Sequence, residues 1–136
     1  MAYTASATAK GGRNGHVETA DGLLKYDTSV PKALGGPGKP NAANPEQLFA
    51  AAYATCFGEA LDLAARQAKV DAANASVTAD VTIDKNDAGF FLAARLRVSM
   101  PGVDRATAEK VVREAHQICP YSKATRGNID VELEVQ

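Results

Sequence analysis

Tryptophan is absent from this chain, and Tyr and Phe number only four each among 136 residues. A surface that stacks single-stranded bases needs aromatic rings at intervals, so their scarcity argues against that class of function. Neither sign of charge dominates. Fifteen Lys and Arg against sixteen Asp and Glu leave a formal charge of −1, without the basic face that neutralising a phosphate backbone requires. No apolar run is expected to approach the length of a membrane-spanning helix. The opening "MAYTASATAKGGRNG" has no apolar stretch behind a charged start, so no secretory signal is expected either. A cytoplasmic location with no nucleic-acid or membrane partner is the resulting expectation. There is no CxxC, no Ser-His-Asp order, and no glycine-rich phosphate loop ahead of a helix; "GGPG" at 35–38 leads only into more proline.

What is present is an ordinary globular mixture, 46% hydrophobic and 23% charged, in a length suited to one domain over residues 1–136. Segments 3–9, 15–20 and 23–30 alternate in character around the turn signals "GGRNG" and "DG", which predicts a small antiparallel meander. Residues 31–45, dense in Pro, Gly and Asn, read as a long loop, and such loops in compact domains usually carry function or are disordered. A helix should then begin with Asn44 as N-cap, Pro45 at the first position and Gln47 reaching back to the cap, and run to about Lys69. Apolar residues wrap most of its circumference, so it is expected to be central or covered by a partner. Segments 75–85 and 89–100 read as a hairpin around "NDAG". Asp104 caps a second, one-sided helix that ends at Cys119 and Pro120, and "NIDVELEV" alternates strictly as a closing strand. The sum is an α+β domain with about six strands in antiparallel sheets and two main helices.

The chemistry-bearing residues are few. Cys56 lies mid-helix, where a free cysteine is either a small apolar filler or a held reactive sulfur. Cys119 sits at a helix–loop boundary expected to be partly exposed, and the two sulfurs could act as attacking and resolving thiols if the fold brings them together. His116 stands three residues before Cys119 and could share a metal or acid–base role, or simply sit on the helix surface. With only two His and two Cys, a structural zinc would have to recruit carboxylates. Arg13 is a turn residue whose guanidinium would favour a nearby thiolate, and Glu46 a first-turn charge suited to the helix dipole. Glu46 and Cys56 are ten residues apart, about 15 Å along a straight helix. They can share a site only if the helix starts later or bends, or if Glu46 serves the Cys56 of a second subunit.

"NPEQLFAAAYATC" and "CPYSKATRGNIDVEL", together with "GGRNGHVETADGLL" and "PKALGGPG", resemble the organic hydroperoxide resistance branch of the OsmC/Ohr proteins over nearly the whole chain. One departure is Ala43, where members often carry Thr. The resemblance implies an intertwined α/β homodimer with active sites at the subunit interface. It implies Cys56 as peroxidatic and Cys119 as resolving cysteine, with Arg13 and Glu46 as the charged pair that organises the site. It further implies a dithiol-dependent peroxidase acting on organic hydroperoxides, alkyl or fatty-acid, with a lipoylated protein as reductant and no metal, flavin or haem. Phe49, Tyr53 and Phe57 around Cys56 suit a substrate with a hydrocarbon portion. A redox sensor or small-molecule binding module built on the same two cysteines is the competing expectation.

Overall fold

The computed structural model describes all 136 residues. The chain divides into two compact units, Met1–Leu48 and Phe49–Gln136.

Unit 1 is built on a four-stranded sheet in the order β1 (Ala7–Lys10), β2 (His16–Thr19), β3 (Lys25–Thr28) and β4 (Ala42–Ala43). The meander is antiparallel as the turn signals predict, with Ala9 opposite Val17 and His16 opposite Asp27. The turn between β1 and β2 closes tightly. Gly11 has φ 74°, the left-handed region that favours glycine, and a Cβ on Gly15 would collide with the Lys10 carbonyl. Thr28 ties this turn to β3: its hydroxyl donates to the Gly12 carbonyl at 2.8 Å and accepts from the Gly15 N–H at 2.8 Å. The long loop returns to the sheet through β4, a two-residue strand parallel to β3.

Helix α1 (Pro45–Gln67) starts where its cap residues predict. The Asn44 side chain accepts from the Gln47 N–H at 2.9 Å, and the Gln47 side chain accepts from the Asn44 N–H at 3.1 Å, a reciprocal capping box. At 23 residues α1 is, contrary to expectation, long and apolar enough to cross a bilayer by length and composition. Its Tyr53, Phe57, Ala60, Leu61, Ala64 and Ala65 nevertheless lie in the core of unit 2. Cover all round is not observed within the chain: Ala51 and Leu63 are exposed.

In unit 2, β5 (Ser76–Asn86) and β6 (Gly89–Ser99) form the predicted hairpin. Alternation puts Ala94, Leu96 and Val98 of β6 on one buried face. They join α1 and α2 (Arg105–Ile118), whose Ala108, Val111, Val112 and Ala115 complete the core. Asp104 caps α2, accepting from the Thr107 N–H at 3.0 Å. The expectation of purely antiparallel sheets is corrected here. β7 (Asp130–Val135) runs parallel to β6, because the chain returns through helices, and a crossover of that kind joins parallel strands. The two main helices expected are present as α1 and α2, and a short third one joins them. Residues 120–127, read as a turn-rich loop, include a third helix, α3 (Pro120–Thr125), with Pro120 at its first position.

Candidate active site

Each unit holds one half of the expected chemistry. In unit 1 the closed turn presents Arg13, and the first turn of α1 presents Glu46. The two meet as a bidentate ion pair, with Nη2 at 2.7 Å and Nη1 at 2.9 Å from the two carboxylate oxygens. Parallel N–H donors in a planar fork match a carboxylate in both distance and direction. Hydrogen bonding from Arg13 holds the Glu46 carboxyl below its ordinary range. Arg13 spends two of a guanidinium's five N–H donors this way and keeps the rest.

Unit 2 brings the two cysteines together. Cys119 Sγ lies 3.6 Å from Cys56 Sγ, both as free thiols. Their exposures are the reverse of what sequence position suggests. Cys56, on α1, is partly accessible, whereas Cys119 is wholly buried and not partly exposed. Cys119 ends α2 and caps α3 in a single extended residue, and this bend turns its side chain into the core. Burial pushes the Cys56 thiol above its ordinary value; the backbone N–H of Tyr121 pulls the other way, and the neighbouring Cys119 adds to the rise.

Three aromatic rings of unit 2 pack against one another. Phe49 meets Tyr53 edge-on at 6.1 Å, and Tyr121 packs 6.5 Å from Phe49 and 5.9 Å from Tyr53. Tyr53 and Phe57 are fully buried; Phe49 and Tyr121 keep surface. Tyr121 is absent from the aromatic set expected around Cys56, and its place two residues after Cys119 was the available signal. His116, expected on the helix surface, is half-buried with Nδ1 2.8 Å from the Ser122 hydroxyl. Burial, then the Arg126 charge, lower its pKa, which favours the neutral ring. No group of three or more His, Cys, Asp or Glu side chains is arranged to hold a metal ion. A cavity of about 760 Å³ between the hairpin end and residues 127–130 contains no cysteine or histidine in its lining.

This arrangement can be set beside known proteins. The model of the OsmC-like protein family matches residues 36–134. An organic hydroperoxide resistance protein of Xanthomonas axonopodis pv. citri is 47% identical over 132 residues, 96% of this chain and 92% of the relative. The organic hydroperoxide resistance protein OhrB of Bacillus subtilis is 44% identical, with 98% of each chain covered. The crystal structure of an organic hydroperoxide resistance protein from Legionella pneumophila superposes with a TM-score of 0.90 at 48% identity, covering 98% of this chain and 97% of that one. Identity of this order over nearly the full length leaves one conclusion: the chain belongs to the OsmC-like family and has organic hydroperoxide resistance proteins as its near relatives.

Proposed function

We propose that the protein is a thiol-dependent peroxidase that reduces organic hydroperoxides to alcohols. The observation that carries this is the accessible Cys56 sulfur standing 3.6 Å from the buried Cys119 sulfur, in a chain whose near relatives are named for organic hydroperoxide resistance. The Cys56 thiolate attacks one oxygen of the peroxide. The O–O bond breaks, the alcohol leaves with a proton, and Cys56 becomes a sulfenic acid. Cys119 attacks that sulfur, the S–O bond breaks, and water leaves as the disulfide forms. A dithiol then restores both thiols by two exchanges and is itself oxidised to a disulfide. The relatives' substrate class supports the same assignment here, and a lipoylated protein is the proposed source of the dithiol.

A thiol raised by burial is a poor nucleophile at neutral pH, so Cys56 needs a cation. Arg13, fixed by Glu46 and with donors to spare, is the proposed source of that charge. Phe49 and Tyr121, with Tyr53 behind them, form the proposed apolar wall for the substrate's hydrocarbon portion; Phe57 packs beneath in the core. The working form is proposed to be a homodimer in the cytoplasm.

Peroxide consumption by the reduced protein with a lipoyl-type dithiol, comparing an alkyl hydroperoxide with hydrogen peroxide, tests the assignment. Sustained turnover of the alkyl substrate, abolished in Cys56→Ser, is the expected result. A single oxidation without turnover would instead mark a redox sensor, and turnover indifferent to Cys56→Ser would remove Cys56 from the chemistry.

A further inference from the structure

Resting on the peroxidase assignment above, we propose that Ser122 is a positioning residue for disulfide formation, anchoring the bend that carries Cys119 to the helix that carries Cys56. Cys119 is the lone extended residue between α2 and α3, so any swing of the two helices about it moves the resolving sulfur. Ser122 lies three residues after Cys119, His116 three before it, and Tyr53 three before Cys56. The Ser122 hydroxyl stands 2.8 Å from His116 Nδ1 and 2.9 Å from the Tyr53 hydroxyl. The Tyr53 hydroxyl also lies 3.1 Å from Thr125 Oγ1, which donates at 3.1 Å to the Ser122 carbonyl. Arg126 Nη2 closes the bend from outside by donating to the His116 carbonyl at 2.6 Å.

Ser122 and Thr125 are the buried polar side chains of unit 2. In a core otherwise apolar, a half-satisfied polar network would be worse than none. Their protons can be counted. Each hydroxyl has one to give. If Thr125 gives its proton to the Ser122 carbonyl, Tyr53 must donate to Thr125, Ser122 must donate to Tyr53, and His116 must donate from Nδ1 to Ser122. The opposite polarity forfeits the Thr125 bond to the carbonyl. The network is therefore fully bonded with His116 as the Nδ1–H tautomer, and it grips Cys119 from both sides while fastening it one turn from Cys56.

The condensation step shows why the grip matters. The S–S bond is about 2.05 Å long, so the sulfurs must close about 1.5 Å from their present separation. A bend free to swing leaves the Cys56 sulfenic acid waiting, and a second peroxide can then carry it on to sulfinic acid.

Ser122→Ala and, as a second variant, Thr125→Val test the proposal through three measurements. These are the single-turnover rate of Cys56 oxidation, the sulfinic fraction at Cys56 by mass spectrometry after excess alkyl hydroperoxide, and the dithiol–disulfide equilibrium of the cysteines against a reference dithiol. In Ser122→Ala the first rate should stay within about twofold, while over-oxidation rises and the disulfide equilibrium falls, each about tenfold, the scale of effect that sub-ångström to ångström misplacement produces. Thr125→Val should move the same way, and carries the test if Ser122→Ala does not fold. Variants that merely melt at lower temperature, with wild-type equilibrium and wild-type over-oxidation, would overturn the positioning role. If the wild-type protein consumed no alkyl hydroperoxide, the peroxidase assignment would fall, and the equilibrium measurement, which uses no peroxide, would still decide the role of Ser122.

Discussion

At the scale of single residues, the two cysteines differ in what reaches them. Cys119 is shielded on all sides, and Cys56 is open in part. Iodoacetamide should therefore label Cys56 well ahead of Cys119 in the reduced native protein, as peptide mapping would resolve. The pH profile of that labelling carries further information, because only the thiolate reacts. Burial raises the Cys56 thiol, so Arg13→Ala, which removes the proposed compensating charge, should push the labelling midpoint above that of the wild-type protein. A titration from about pH 6 to 11 brackets the ordinary thiol value near 8.5. Coincident midpoints in the two proteins would show that Arg13 does not act on Cys56. Much of this contrast was illegible in the sequence. Position in a mid-helix apolar run suggested a buried Cys56, and position beside a proline-led, turn-like stretch suggested an exposed Cys119. The burial of Cys119 is set by which way its bend faces, and that is a tertiary fact.

Elements were legible wherever their ends announced themselves chemically. Asn44, Pro45 and Gln47 mark the start of α1, and the capping box forms as their spacing requires. Replacing Asn44 with Ala removes the acceptor for the Gln47 N–H, and should cost about 1 kcal/mol of stability, read from the urea midpoint at unchanged slope. An unshifted midpoint would mean that the helix start is held by its tertiary contacts alone. The elements that escaped are those whose signals are weak by nature. α3 is only six residues long and reads as Pro, Ser and Lys after a cysteine, too short to show a helical period. β4 is two residues inside a loop of Pro, Gly and Asn, and nothing in its composition calls for a strand. Alternation identified β7 as a strand but carries no information on its partner's direction. The parallel pairing with β6 follows from the intervening α2 and α3, a strand–helix–strand order that was itself in view.

At the scale of the whole molecule, the expected site residues raise a problem of reach. α1 is unbroken from Pro45 to Gln67, which removes the option of a later start. Glu46 and Cys56 are thus separated by ten residues of continuous helix, about 15 Å along its axis. We propose that the Arg13–Glu46 pair of one copy serves the Cys56 of the other, and mixed dimers make the proposal decidable. Arg13→Ala and Cys56→Ser are each expected to be inactive alone. In a mixed dimer whose sites are shared, one site pairs the intact cysteine with the intact arginine, while the other has neither. Random pairing of the two variants should then restore about a quarter of wild-type activity, because half the dimers are mixed and half of their sites are whole. Sites built within one chain would restore nothing, since every chain in the mixture carries one lesion. Recovery of peroxide consumption on mixing, with dimer mass confirmed by sedimentation, therefore separates the two arrangements without needing to know the rate of either site.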